Sequence, residues 1–455
     1  MNAVLQYLRQ NRNRFLDDLC NYVRFASVSA QPQHAQDMVR CATWLVKRCA
    51  AIGLEARMVS TKGHPVVVAS TPRRAGRPHF LVYGHYDVQP PEPLELWTSP
   101  PFEPRIAHDS LFARGASDNK GQHLAHLNAV EAYFKTGTEL PCDLTFIVEG
   151  EEEVGSRHLA DFLRAHRRQL ACEAVVVSDT GMPDLKHPAL TYGLRGIAAV
   201  ELTVRGPSRD LHSGIYGGSV DNPALVLCQM LARLRDQEGR VSIPGFYDDV
   251  APLSRFERRQ LARLPFAAAA YAKFLGVPRL FGERGFTPIE QRSARPTIEI
   301  NGLTSGYQGE GSKTIVPAWA RAKLTFRLVP HQKPSRILAA VRAYLRQIAP
   351  PTVRLEIKSG HGAEAYIVSP ESPLARAALT ALRDSFKQEP VLMREGGSIP
   401  IVNDFKKILG AETLLLGLGL PDDNAHSPNE KFSLECYRRG MEMSARLWPE
   451  LARLP

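Results

Sequence analysis

The 455-residue sequence has few cysteines, little aromatic content and no long apolar run. No stretch approaches the 18 or more apolar residues of a membrane span, and the N-terminus carries early charge instead of an apolar signal core. The seven cysteines are scattered and include no Cys-x-x-Cys pair, which argues against a disulfide framework and against a thiolate metal site. We therefore expect a soluble cytoplasmic protein without membrane contact.

Other absences narrow the classes of function. The chain has no internal repeat or low-complexity tract, and no P-loop or GxGxxG motif follows a predicted strand, which argues against nucleotide binding. Lys and Arg number 57 against 47 Asp and Glu, giving a formal charge of +10. This excess invites a nucleic-acid hypothesis, but the arginines are dispersed and no RNA-binding aromatic signature accompanies them. We therefore expect a solvated cationic surface and no nucleic-acid partner.

The pattern of apolar residues predicts a layered α/β domain over about the first 190 residues. Compact apolar runs bounded by turn residues alternate with helical segments, which is typical of strands buried on both faces of a sheet. The predicted strands comprise residues 64–70, 79–83, 143–148 and 174–177. Such runs predict a mostly parallel sheet.

The pattern of apolar and polar residues changes near residue 197. Residues 197–204 and 321–328 alternate apolar and polar side chains, as half-exposed antiparallel strands do, and residues 254–274 form one helical stretch. The buried α/β pattern returns near residue 373. We predict a catalytic α/β domain of residues 1–196 and 367–455, interrupted by an inserted α+β lid or dimerisation domain of residues 197–366.

Potential metal ligands follow the apolar strands of the first part, and ligands of open α/β sheets bind beyond the carboxyl ends of the strands. The candidates are His85 and Asp87, Asp118, the glutamates of residues 148–156 (VEGEEEVGS), Asp179 and His426. Each has a plainer alternative. A histidine at a strand end or on the surface is usually structural, Asp118 could cap a helix, Asp179 could serve a turn, and the glutamates could be a solvated helix start.

Together these residues favour a metal site over the separate alternatives. One His, Asp, Glu, Asp and His at strand-to-loop junctions form a nitrogen and oxygen donor set suited to two zinc-like ions about 3.5–4 Å apart. Three carboxylates against two dications leave one positive charge, which a bridging hydroxide neutralises. A further glutamate then remains free to act as a base.

Several long motifs give the chain a resemblance to a known family. They are GHYDVQP, ARGASDNKG, EGEEEVGS, YGLRG, DLHSGIYGG, FRLVP, REGGSIP and DDNAHSPNEK, in that order. The chain resembles, nearly end to end, the co-catalytic zinc peptidases that include carnosinase, cytosolic non-specific dipeptidase, aminoacylase and succinyl-diaminopimelate desuccinylase. Its motifs are most similar to those of the dipeptidase branch.

The resemblance implies roles for the clustered residues. It implies that His85 and Asp179 hold one metal ion, that Glu153 and His426 hold the other, and that Asp118 bridges both. It further implies that Glu152 is the general base and that Asp87 orients His85. Two divalent ions per chain are expected, with zinc favoured and manganese as the alternative.

The resemblance also implies functional residues in the inserted domain and near residue 398. His212 is similar to a histidine that reaches across a dimer interface to stabilise an oxyanion, with a turn-capping histidine as the alternative. Arg327, Thr314, Ser398 and His361 are similar to groups that hold the substrate's terminal carboxylate and backbone. An edge ion pair is the alternative for Arg327. A homodimer is therefore expected.

The activity so implied is hydrolysis of short peptides with a free C-terminal carboxylate, dipeptides above all. An N-acyl-amino-acid deacylase and a carboxypeptidase are rivals with the same chemistry. A catalytically silent peptide-binding or nucleic-acid-binding relative is the rival from another class, and it predicts gaps in the ligand set.

Overall fold

A computed structural model describes residues 1–454. The helices are α1 (Asn2–Gln10), α2 (Arg12–Val23), α3 (Ala35–Ala51), α4 (Gln122–Lys135), α5 (Leu159–Ala165), α6 (Ser213–Tyr216), α7 (Pro223–Ala232), α8 (Arg255–Ala262), α9 (Ala268–Phe274), α10 (Pro288–Ala294), α11 (Pro334–Ile348), α12 (Pro373–Phe386), α13 (Ile401–Asp404) and α14 (Leu434–Ala452). No helix among these residues is long and apolar enough to cross a membrane.

The strands are β1 (Glu55–Val59), β2 (Val66–Ser70), β3 (His79–His85), β4 (Arg105–Ala107), β5 (Ser110–Phe112), β6 (Asp143–Glu149), β7 (Ala174–Val177), β8 (Ala189–Leu194), β9 (Gly196–Arg205), β10 (Leu211–His212), β11 (Thr297–Ser305), β12 (Ile315–Val316), β13 (Trp319–Leu328), β14 (Arg354–Ala363), β15 (Tyr366–Ile367), β16 (Val391–Glu395), β17 (Glu412–Leu415) and β18 (Lys431–Ser433).

The chain forms two compact units. The first unit contains Met1–Tyr192, Val368–Met393 and the described residues from Pro400 onward, and the second unit contains Gly193–Ile367 and Arg394–Ile399. Residues 394–399 are thus part of the second unit, although they lie outside the predicted insert. That residues 197–366 form an inserted lid or dimerisation domain stays a prediction.

The first unit is built on a mixed sheet with the strand order β1-β2-β6-β3-β7-β17-β8. Its four central strands, β6, β3, β7 and β17, are parallel, whereas β1, β2 and β8 are antiparallel to their neighbours. All residues of β3, β6 and β7 are buried, as their β-branched and aromatic runs predict. The predicted α/β fold with a mostly parallel sheet is confirmed, and the parallel pairing is confined to its centre.

The second unit is built on a four-stranded antiparallel sheet with the order β11-β13-β9-β14. Alternate residues of β13 are buried and lie in one apolar core with residues of α7 and α11, while the intervening side chains are more exposed. This is the period-two pattern that the sequence predicts for a half-exposed strand.

One predicted helical segment is interrupted. The stretch 254–274 was expected to be continuous, but it divides into α8 and α9, with Pro265 in the break. A proline in a helix interior removes a backbone donor and clashes with the preceding turn, which explains the break. At the N-terminus, α1 and α2 are likewise separated by the single residue Asn11.

Candidate metal centre

The carboxyl ends of the parallel strands bring the predicted ligands to one edge of the first unit's sheet. His85 is the last residue of β3 and pairs in register with Glu149, the last residue of β6. Asp179 follows β7 by two residues, and Glu153 lies in a one-turn helix just beyond β6. Because parallel strands end at the same edge, residues far apart in sequence meet there.

These side chains form two overlapping groups of possible metal ligands. One contains His85, Asp118 and Asp179, the other contains Asp118, Glu153 and His426, and the donor atoms within each group lie within 4.8 Å of one another. His85 Nε2 lies 3.1 Å from Asp118 Oδ1 and 3.6 Å from Asp179 Oδ1. Asp118 thus belongs to both groups, which is the arrangement that two neighbouring ions require of a bridging carboxylate.

The second group is organised around the other carboxylate oxygen of Asp118. His426 Nε2 lies 2.9 Å from Asp118 Oδ2 and 3.3 Å from Glu153 Oε2. Asp118 therefore presents one oxygen to each histidine. Imidazole nitrogens and carboxylate oxygens are a donor set that suits zinc and related divalent ions, so the residues present fit the expected metal pair.

The start of α4 does not support the helix-capping alternative for Asp118. The N-cap of α4 is Gly121, and no side chain caps the helix there. The interpretation of Asp118 as a helix N-cap is therefore wrong. Its carboxylate is directed instead at the two histidines.

A buried glutamate that the sequence reasoning did not single out holds the loop of Asp118. Glu430 accepts hydrogen bonds from Arg114 Nη1 (2.8 Å) and from the backbone N–H groups of Gly115 (2.8 Å), Ser117 (3.0 Å) and Asp118 (3.0 Å). Burial raises the pKa of Glu430 to about 7, although Arg114 opposes the rise. Four donors on one carboxylate fix the local backbone path on which the position of Asp118 depends.

A second buried carboxylate joins the same two loops. Asp423 Oδ2 accepts a hydrogen bond from Ser117 Oγ at 2.8 Å and another from the backbone N–H of Leu420 at 2.9 Å. Asp423 and Glu430 flank His426 in sequence, so the segment that carries one predicted ligand also anchors the loop that carries another. Their position within the motif DDNAHSPNEK was the sequence signal from which this supporting role could have been predicted.

Two amides orient the other carboxylates. Asn119 Nδ2 donates to Asp179 Oδ1 at 2.8 Å, and Gln89 Nε2 donates to Glu153 Oε2 at 2.8 Å. Both were missed from the sequence, although each lies inside a quoted motif. Such bonds reduce the freedom of a ligand's side chain before an ion arrives.

Asp87 contacts its neighbours in a different way from the one expected. The Nδ1 atom of His85 lies 3.0 Å from the backbone oxygen of Asp87 and 3.4 Å from its Oδ1. The carboxylate of Asp87 accepts hydrogen bonds from the backbone N–H groups of Glu152 (3.2 Å) and Glu153 (3.0 Å). Its backbone therefore orients the histidine, and its side chain positions the turn that carries Glu152 and Glu153.

The electrostatics of the cluster reflect crowded carboxylates. Burial, reinforced by the charges of Asp179, Glu153 and Asp118, raises the pKa of Glu152 well above its usual value. Hydrogen bonds to Asp118 and Glu153 raise the pKa of His426 to about 10. So much negative charge in a buried place is costly unless cations lie among the carboxylates.

The predicted substrate-contact residues all lie on the second unit. Arg327 Nη1 donates to Ser398 Oγ at 3.1 Å, and Thr314 O accepts the backbone N–H of Ser213, next to His212, at 3.0 Å. The structure thus pairs Arg327 with Ser398, whereas Thr314 contacts the backbone of Ser213 and His212 pairs in register with Ile315. His361 lies separately on β14, where it is exposed.

A second arginine, not singled out from the sequence, accompanies Arg327. Burial, together with the charge of Arg327, lowers the pKa of Arg195 to about 10. Within residues 1–454, neither guanidinium lies within 4 Å of a carboxylate, so the edge ion pair considered for Arg327 is wrong. Two partly buried arginines without an anionic partner suit a carboxylate from outside the chain.

Comparison with known proteins gives the chain several relatives of similar length. It is 30% identical to the Cys-Gly metallodipeptidase DUG1 of Candida albicans over 97% of this chain and 95% of that protein. It is 28% identical to the Beta-Ala-His dipeptidase of Homo sapiens, covering 100% of this chain and 93% of that protein. The solved metallo-carboxypeptidase Sso-CP2 from Sulfolobus solfataricus superimposes with a TM-score of 0.87 at 31% identity, covering 97% of this chain and 99% of that one.

The family itself is established by a match that covers most of the sequence. Residues 81–450 match the model described as peptidase family M20/M25/M40. This range includes every predicted ligand and the predicted base. The chain therefore belongs to peptidase family M20/M25/M40.

Proposed function

We propose that this protein is a metal-dependent dipeptidase. The observation that carries the proposal is the pair of ligand groups that share Asp118, whose charges act on the buried Glu152. The likeness to a Cys-Gly metallodipeptidase and a Beta-Ala-His dipeptidase supports a dipeptide as the substrate. The ligand set has no gap at the positions expected from the sequence, which disfavours the silent-binder alternative.

In this proposal His85 and Asp179 hold one ion, Glu153 and His426 hold the other, and Asp118 is shared. Zinc is the proposed metal, with manganese as the alternative, because the donors are imidazole nitrogens and carboxylate oxygens. Bound ions of this kind lower the pKa of water and polarise a scissile carbonyl.

Glu152 is the proposed general base. It takes a proton from the attacking water and then returns that proton to the leaving amine. Its carboxyl is buried among other carboxylates, which raise its affinity for a proton. The backbone N–H of Glu152 is held by Asp87, so the base and the ligand Glu153 are positioned by one carboxylate.

The proposed contacts for the substrate's terminal carboxylate and backbone are Arg327, Thr314, Ser398 and His361. The 3.1 Å bond between Arg327 and Ser398 orients the guanidinium, whose charge has no carboxylate partner among residues 1–454. An arginine fork recognises a carboxylate through two parallel hydrogen bonds.

His212 is the proposed stabiliser of the oxyanion, supplied by the partner protomer of a homodimer. It is exposed at the start of α6, and its Nδ1 accepts the backbone N–H of Gly214 at 3.0 Å, so Nε2 is its free nitrogen. A protein that is fully active as a monomer at assay concentration would contradict this arrangement. A cytoplasmic location is part of the proposal, and the seven free cysteines support it.

The test is a substrate panel with a defined metal content. Purified protein is stripped with chelator and reloaded with zinc or manganese. It is then assayed on dipeptides, on longer peptides with a free C-terminus, and on N-acetyl and N-succinyl amino acids. We expect metal-dependent hydrolysis with the highest kcat/KM on dipeptides.

A carboxypeptidase is the second candidate, favoured by the structural likeness to the Sulfolobus enzyme. It predicts that longer peptides lose single C-terminal residues at least as fast as dipeptides are cleaved. Preference for acylated amino acids would instead identify a deacylase, and hydrolysis that is unaffected by chelation would contradict the proposal as a whole.

A further inference from the structure

A cavity in the first unit lies at the opposite ends of the strands from the metal centre. Its volume is about 690 Å³, and its lining includes Glu55 at the start of β1, Ser70 at the end of β2 and Asp143 at the start of β6. The predicted metal ligands follow the carboxyl ends of β3, β6 and β7, whereas Asp143 is at the amino end of β6. The two places are therefore separate.

Arginines from three segments of the chain line this cavity. They are Arg57 on β1, Arg73, Arg74 and Arg77 in the loop before β3, and Arg168 after α5. The lining contains two carboxylates, those of Glu55 and Asp143, and Glu139 pairs with two of the five arginines, so the local formal charge is +2. This cluster accounts for part of the chain's excess of basic residues.

Three of these arginines have no ion-pair partner among residues 1–454. Glu139 pairs with Arg74 at 3.7 Å and also with Arg77. The carboxylate of Asp143 accepts the backbone N–H of Arg74 at 2.8 Å. Within residues 1–454, no carboxylate lies within 4 Å of the side-chain nitrogens of the remaining three, which are Arg57, Arg73 and Arg168.

Two of the three guanidinium groups are held by one neutral residue. Arg73 Nη2 donates to the backbone oxygen of Gln169 at 2.9 Å, and Arg57 Nη2 donates to Gln169 Oε1 at 3.4 Å. Arg168 is the adjacent residue. Gln169 thus brings like charges together without neutralising them, which raises the local positive potential.

We propose that this cavity binds a small-molecule oxyanion with two or more negative charges, either a phosphate ester or a polycarboxylate. Guanidinium forks match the oxygen geometry of both groups, and a net charge of +2 favours more than one negative charge on the ligand. The volume lies within the range of small-molecule sites. The inference does not depend on the metal centre or on the dipeptidase activity.

The test measures binding of glucose 1,6-bisphosphate and of tricarballylate to the metal-loaded protein by calorimetry in 150 mM NaCl. The cleft variant combines Arg57→Gln, Arg73→Gln and Arg168→Gln. The control combines Arg12→Gln, Arg167→Gln and Arg259→Gln, which removes the same charge from exposed arginines outside the cavity. Arg167 is adjacent to Arg168 in sequence, but only Arg168 lines the cavity. Comparing the two variants therefore separates the loss of an arginine from the cavity from the loss of charge alone.

We expect saturable binding of at least one probe, weakened tenfold or more in the cleft variant and less than twofold in the control. The tighter of the two probes identifies the ligand as a phosphate ester or a polycarboxylate. Unchanged dipeptidase activity in the cleft variant would demonstrate that it folds. Absence of binding, undiminished binding in the cleft variant, or equal loss in the control would each overturn the proposal.

Discussion

The predicted metal ligands and the predicted substrate contacts occupy contrasting surroundings. In the first unit, His85 ends one buried strand, Asp179 follows another, and Asp118 lies in the segment before α4. His426 is exposed, yet its Nε2 lies within 3.3 Å of two carboxylates. In the second unit, His212, Thr314 and His361 are exposed, and only Arg327 and Ser398 form a direct side-chain pair.

This difference indicates that the proposed metal site and the proposed substrate site need different degrees of preorganisation of their side chains. A pair of metal ions demands fixed donor positions, so Glu430, Asp423, Asn119 and Gln89 hold the ligands or their loops. Substrate contacts must admit and release a ligand. The following predictions test the contrast, from the largest expected effect to the smallest.

Replacing the proposed base should abolish turnover without emptying the metal site. Glu152→Gln preserves the shape of the side chain but removes its ability to accept a proton, so we expect kcat to fall by about 10²–10⁴-fold. Metal content, measured by elemental analysis, should equal that of the wild type. Glu151→Gln, which alters the adjacent glutamate that contacts His158, is the control. A Glu152→Gln enzyme with full activity would contradict the assignment.

Removing the unpaired arginine of the second unit should affect substrate binding. Arg327→Gln deletes a charged donor, and because such a bond contributes about 1.5–3 kcal/mol, we expect kcat/KM to fall by about 10- to 150-fold, chiefly through KM. Metal content should not change. Arg321→Gln is the control on the same strand, since Arg321 faces Glu201 at 3.4 Å. An unchanged KM in Arg327→Gln would remove Arg327 from the substrate site.

Weakening the support of the Asp118 loop should affect the metal and leave substrate recognition intact. Asp423→Asn changes the group that accepts the Ser117 hydroxyl, and we expect metal affinity to fall by about 10–100-fold. The measurement is titration of the stripped protein with zinc. The neighbouring exposed residue provides the control Asp422→Asn. Equal affinities for zinc in both variants would mean that Asp423 is not needed to position Asp118.

The buried framework of the first unit should make the protein sensitive to acid. Burial lowers the pKa of His126 to about 4, and its nitrogens lie 2.9 Å from Ser444 Oγ and 2.8 Å from Ser178 Oγ. The unfolded chain therefore binds more protons between pH 6.5 and pH 4. By linkage, the contribution of His126 to the free energy of unfolding should fall by roughly 3 kcal/mol as pH decreases through that window.

Urea denaturation across this pH range measures the effect. His126→Gln should flatten the pH dependence of the free energy of unfolding, although the variant is less stable at neutral pH. His361→Gln removes an exposed histidine of the second unit and should retain the wild-type slope. Identical slopes in wild type and His126→Gln would show that His126 does not control acid stability.

The parts predicted from sequence are those encoded locally. Uniformly apolar runs identify β3, β6 and β7, and period-two alternation identifies β9 and β13. The break between α8 and α9 was missed because propensity outside the proline region favours one helix. The supporting residues Glu430 and Asn119 were missed because their partners are chosen by contacts between distant segments.

The sequence by itself determined the family, the α/β class and the types of donor available for metal, because motifs and hydrophobic periods are properties of local order. Only the tertiary structure decided that Asp118 presents one oxygen to His85 and the other to His426. It also decided that the backbone of Asp87 orients His85 while its carboxylate holds the turn of Glu152. These choices depend on distances across strands far apart in the chain, which spacing along the sequence does not fix.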